Sequence, residues 1–137
     1  MRIIIQPLVL CVSMLISGCG GPPSTTNAGP APAHGGRLVL LAGGRGYVEV
    51  VHQPAASAKG AISKEALFYF LTPDASPRAP APTAGTLVLG KKSVRLEPSG
   101  DALATPDGPP LFPKGDLDGL LNVELDGKPV SIPLGVR

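Results

Sequence analysis

The chain holds two imidazoles, His34 and His52, and imidazole is the side chain best suited to borderline ions such as Zn(II) and Cu(II). They flank a stretch that reads as a hairpin: Arg37–Leu41, a glycine-rich turn over residues 42–46, then Tyr47–His52. If Leu41 pairs with Tyr47, His52 faces Gly36, and His34 sits diagonally across from it on the same face. Diagonal neighbours lie about 7–8 Å apart, within reach of long side chains. Two histidines so placed would hold copper or zinc with a third ligand from elsewhere. Glu49 is the tempting third ligand, but its odd position sends it to the opposite face unless a bulge intervenes. In the alternative reading His34 merely ends a tether and His52 caps a strand end, because a shift of one residue in register dissolves the pair.

Other groupings carry less. Asp116, Asp118, Glu124 and Asp126 cluster in sequence, but they lack the full Asp-x-Asp-x-Asp-Gly…Glu spacing of a calcium loop, and turn formation explains them. The chain has no Gly-x-Ser-x-Gly, no His-Glu-x-x-His and no phosphate loop. Gly43-Gly44-Arg45-Gly46 is not followed by a helical pattern, so it makes no anion site. Lys91, Lys92 and Arg95 read as a solvated face. The expectation is a protein that is not an enzyme.

Cys19 has a different context. It ends Leu15-Ile16-Ser17-Gly18-Cys19, which closes an apolar run from Ile3 to Ile16 behind a single positive charge, Arg2. A basic start, an apolar middle and small residues before a cut mark a secretory signal. A membrane span needs about 20 apolar residues, whereas this run is shorter, is broken by Gln6 and Pro7, and ends in glycine and proline. Ile16, Ser17, Gly18 and Cys19 fit an aliphatic residue, two small residues and Cys, and the segment resembles the lipobox of bacterial lipoprotein signal peptides. The resemblance implies that residues 1–18 are removed, that a diacylglycerol joins the Cys19 sulfur, and that the new amine is acylated. It places the chain on a membrane of the cell envelope, facing the periplasm or the exterior. Gly20 in place of Asp after the cysteine points to the outer membrane where the family has two. The other reading of Cys19 is a plain thiol after an ordinary secretory site. Two or more acyl chains make a stable anchor, at about 0.8 kcal/mol per buried CH₂.

The formal charge is +2, and loss of Arg2 with the signal would leave +1. So neutral a balance gives no reason to expect nucleic acid as a partner. Cys11 would leave with the signal and Cys19 would carry lipid, so the resemblance leaves no disulfide in the mature chain. With no Trp and few aromatics, the core is expected to be Val, Leu and Ala, and only modestly stable.

Three segments follow: residues 1–18 as signal, 19–33 as lipidated cysteine and flexible Pro/Gly/Ala linker, and 34–137 as one β-rich domain. The linker contains no large apolar residue and cannot bury itself. Within the domain, Leu67–Leu71 is apolar at both parities, the mark of a strand buried on both faces; a helix starting near Ser63 is the alternative. Pro73–Gly85, with four prolines, reads as a surface loop or linker. Thr86–Leu89 and Lys92–Glu97 flank Gly90-Lys91, which suits a type II′ turn. Asp101–Thr105 reads as a short edge strand and Pro106–Gly115 as a loop. Leu120–Leu125 and Lys128–Leu134 flank Asp126-Gly127, the strongest short-range hairpin signal, and Pro133 puts the returning strand at an edge. About seven short strands without a convincing helix predict an all-β fold, a small antiparallel sandwich or barrel.

His34-Gly35-Gly36, a short apolar run, Tyr47-Val48-Glu49-Val50-Val51 and the later Leu121–Lys128 hairpin are similar to small exported β domains. Some of these are bacterial lipoproteins of unknown function; others begin periplasmic adaptors of heavy-metal efflux. The expected function is therefore that of a lipid-anchored, non-catalytic envelope domain that binds a protein partner. The alternative is a metal-binding accessory of copper or zinc handling using His34 and His52.

Overall fold

Among the described residues, alternating apolar and polar residues between glycine and proline turns build eight strands: β1 (Arg37–Leu40), β2 (Tyr47–His52), β3 (Ala66–Leu71), β4 (Gly85–Leu89), β5 (Lys92–Ser99), β6 (Ala102–Ala104), β7 (Leu120–Leu125) and β8 (Lys128–Pro133). The computed structural model describes residues 29–53, 65–112 and 117–135. The signal-like segment, Cys19 and most of the expected linker lie outside them. Among the described residues no helix is long and apolar enough to cross a membrane.

The strands form one antiparallel sheet in the order β1-β2-β3-β6-β5-β4-β7-β8. It curls into a half-barrel, and one face of every strand contributes to a common core. Val50 of β2, Phe68 of β3, Leu103 of β6, Leu87 of β4, Leu121 of β7 and Ile132 of β8 all lie there. The outer strands come together at one end. Arg37, at the start of β1, donates from Nη2 to the Leu134 carbonyl at 2.5 Å and from Nη1 to that of Gly135 at 3.4 Å. A single side chain thus bridges the two ends of the sheet just past β8.

The expected hairpins are present. Leu89 and Lys92 flank Gly90, at φ +59°, and Leu125 and Lys128 flank Asp126 and Gly127, at φ +54° and +72°. Two positive φ values in succession make the latter a type I′ turn. β3 sits inside the sheet as its two-faced apolar pattern requires, and β8 is an edge strand.

Three expectations are corrected. First, Ala102–Ala104 is not at an edge: it lies between β3 and β5 with all three residues buried. Leu67–Tyr69 of β3 pair with one side of it and Glu97–Ser99 of β5 with the other, so both of its edges are taken. Second, the core is not only aliphatic, since Phe68, Phe70 and Phe112 are all buried in it. Phe112 comes from the 106–112 loop. Third, Tyr47 pairs with Leu40, not Leu41. Leu41 is instead fully buried, and its N–H reaches the Gly46 carbonyl at 2.9 Å. Gly46 permits this turn: its φ is +125°, and a Cβ there would lie 2.0 Å from the Leu71 carbonyl oxygen.

Candidate functional site

Glu49 lies on β2 between Val48 and Val50, which face the core, so its side chain leaves the other face of the sheet. It is nonetheless fully buried, because residues 33–36 cross over it before entering β1. The carboxylate accepts from the Ala33 N–H at 3.1 Å, the His34 N–H at 2.7 Å and the Gly36 N–H at 3.0 Å. The fourth contact is His34 Nδ1 at 3.0 Å. A carboxylate only accepts, so Nδ1 carries the proton and donates. Gly36 has to be glycine for this crossing: a Cβ there would meet the Val50 carbonyl oxygen at 2.5 Å.

The His34 ring stacks on Tyr69, with centroids 3.7 Å apart and planes 6° from parallel. Tyr69 is the β3 residue paired with Glu49, so the sheet register itself places the phenol beneath the imidazole. Burial pushes the Glu49 pKa up, but the Gly36 N–H and the imidazole and N–H of His34 pull it down further, and it ends below its ordinary 4.5. Tyr69 is raised above its ordinary 10.0, first by burial and then by the charges of Asp101 and Glu49. The cluster therefore favours an ionised Glu49 and a neutral Tyr69. It clamps the residues that precede β1 onto the sheet and holds one imidazole in a fixed tautomer, with Nε2 turned from the carboxylate.

His52 lies elsewhere. It shares the parity of Val48 and Val50, and its ring meets Phe112 edge-on with centroids 6.1 Å apart. Its Nε2 is buried without a hydrogen-bond partner among the described residues. His34 and His52 thus occupy opposite faces of the sheet, and the expected two-histidine pair is not formed. The cause is the one-residue register shift already noted, together with the crossing of residues 33–36 over the outer face. Glu49 does point away from His52, as its parity requires, and meets His34 there. Among the described residues no group of three or more His, Cys, Asp and Glu is arranged to hold a metal ion. Asp126 is engaged by Arg78 at 2.8 Å. Asp116 and Cys19 lie outside the described residues.

The two outer strands differ in what they offer. In an antiparallel pair the backbone groups of alternate residues point away from the neighbour. The Leu41–Gly46 bond sets this alternation for β1 and turns the N–H and C=O of Leu38 and Leu40 outward. Their side chains lie on the outer face beside Tyr47, and Leu40 is 63% exposed. On β8 the outward residues are Pro129, Ser131 and Pro133. Proline has no N–H, so this edge offers one donor, that of Ser131. β8 is blunted in the manner natural edge strands use against unwanted pairing; among the described residues β1 has no such device.

Sequence reasoning missed Tyr69, whose role depends on the β2–β3 register, and Glu65, which is separated by more than forty residues from the backbone it holds. The Glu65 carboxylate accepts from the N–H groups of Leu111 at 2.6 Å and Phe112 at 2.7 Å. No family model matches the chain, and neither a curated protein nor a solved structure does.

Proposed function

We propose that the protein is a lipid-anchored, non-catalytic binding module of the cell envelope, held to its membrane through Cys19, and that an extended segment of a protein partner adds to the free edge of β1. The observation that carries the reading is the contrast between the two edges. β8 is closed by Pro129 and Pro133, while β1 presents two donors, two acceptors and the exposed Leu40. Strand addition uses such main-chain groups for affinity and alternate side chains for specificity. The lipobox-like residues Ile16–Cys19 support the anchor.

Photo-crosslinking in intact cells tests the reading. A crosslinking residue at Leu40 should yield a discrete adduct with another protein, and the same residue at Ser131 on β8 should not. Cys19→Ala should move the chain out of the membrane fraction. Equal labelling from both positions, or none from Leu40, would refute the β1 site. Retention in the membrane fraction without Cys19 would refute the anchor.

A further inference from the structure

Among the described residues a second unpaired strand flank lies inside the sheet. The two-residue turn Gly90-Lys91 makes Leu89 and Lys92 a hydrogen-bonded pair, so the backbones of Ser93, Arg95 and Glu97 point away from β4. β6 takes up Glu97 and Ser99 and then stops. Beyond it the chain follows β3 instead: the Thr105 N–H donates to the Ala66 carbonyl at 3.0 Å, and the Ala66 N–H donates to Thr105 Oγ1 at 3.0 Å. Pro106 has no N–H to return to β5. Glu65 then pins Leu111 and Phe112 at the far end of the loop.

The sheet is therefore split alongside the first half of β5, and a cleft of about 490 Å³ fills the split. Val94, Pro106, Pro109 and Leu111 give it an apolar lining, and Lys92 and Arg95 stand on its rim. Glu97 and Asp107 also border it, but each is engaged in an interaction of its own. Lys92 and Arg95 make no ion pair among the described residues. The two cations and two carboxylates of the lining balance formally, so what the cleft offers a carboxylate is the local charge of Lys92 and Arg95, not a net positive field.

We infer that this cleft binds an extended peptide in which a carboxylate flanks an apolar side chain. The peptide backbone pairs with Ser93 and Arg95, the apolar side chain enters between Leu111 and Pro109, and the carboxylate meets Arg95 or Lys92. The inference rests on the reading of the domain as a binding module, but it concerns a surface separate from β1.

The probe is a set of acetylated decapeptides in which Val, Leu or Ile alternates with Asp or Glu, added to the full chain in detergent micelles. Binding is followed by anisotropy and by amide hydrogen exchange. Bound peptide should protect the Ser93 and Arg95 amides. The double change Lys92→Glu, Arg95→Glu, on the exposed rim, should weaken binding by about tenfold or more. Methylating the peptide nitrogens on the β5-facing edge should abolish binding, and methylating the other edge should not. Unchanged exchange at Ser93 and Arg95 with every peptide, or affinity indifferent to the charge reversal, would overturn the inference. Protection confined to Leu38 and Leu40 would also overturn it, while leaving the β1 reading standing.

Discussion

Glu49 and His34 are joined twice, by a backbone N–H at 2.7 Å and by the imidazole Nδ1 at 3.0 Å. With the Ala33 and Gly36 N–H groups these contacts surround a fully buried carboxylate with donors. A buried charge is tolerated only when so satisfied. Glu49→Ala removes the acceptor and leaves its donors under the cover of residues 33–36. The expected loss is about 3–4 kcal/mol. Glu49→Gln keeps the shape but sets an amide against donors, and about 2 kcal/mol should be lost. Urea unfolding of both variants checks the order.

The same carboxylate gives the fold an acid limit. The folded-state pKa of Glu49 lies below its ordinary 4.5, so folding favours the charged form. That contribution is complete above about pH 4.5 and is lost as the pH falls through the folded value. Unfolding midpoints measured across this range should fall steeply on the acid side. In Glu49→Gln that part of the slope should be missing.

Tyr69 acts at the opposite limit. Its pKa is raised above 10.0, so the folded chain holds the phenol proton more tightly than the unfolded chain does. The contribution is complete below pH 10 and is lost as the pH rises through the folded value. Tyr69→Phe keeps the ring under His34 and should flatten the alkaline limb while changing stability little at pH 7. Thermal unfolding between pH 8 and 11 reads this directly.

How much of this was legible in the sequence follows from the range of each interaction. The Asp126-Gly127 and Gly90-Lys91 hairpins need only neighbouring residues, and both were visible. So was the interior place of Leu67–Leu71 in the sheet, although Leu67 and Tyr69 on its outer face are only half-buried. The first hairpin was visible, but its register was not: Leu41 and Leu40 are the same residue type, and the choice between them depends on Leu41 being needed in the core. That one step decides which histidine meets which residue. Glu49 stood out beside the histidines as a metal ligand, but its contact with His34 and with the N–H groups of Ala33 and Gly36 depends on the register and on the crossing of residues 33–36. It became buried only when residues 33–36 folded over it. The interior place of β6 and the role of Phe112 are likewise set by contacts far apart in the chain.

Arg37 should matter beyond its exposed position. Its guanidinium is the bridge from β1 to the carbonyls of Leu134 and Gly135. Arg37→Met keeps the stem and removes the bridge, and should cost about 1 kcal/mol. Hydrogen exchange should quicken at both ends of the sheet in this variant, with the centre of β3 unaffected.

Among the described glycines Gly46 leaves a side chain the least room. Ala there would place a Cβ against the Leu71 carbonyl oxygen at a φ of +125°. The expected loss is about 3 kcal/mol or more. Leu40→Asp, only a few residues away but 63% exposed, should alter stability by no more than about 0.5 kcal/mol. Comparing the two by thermal unfolding separates a residue the fold needs from one left on its surface.

The most direct measurement is residue-resolved amide hydrogen exchange on the full chain in detergent micelles. Availability of β1 for a partner requires that its outward amides be unpaired while their neighbours are held by β2. The amides of Leu38 and Leu40 should therefore exchange fast, and those of Val39 and Leu41 slowly. Slow exchange at Leu38 and Leu40 would show that the edge is already paired and would contradict the proposed binding site.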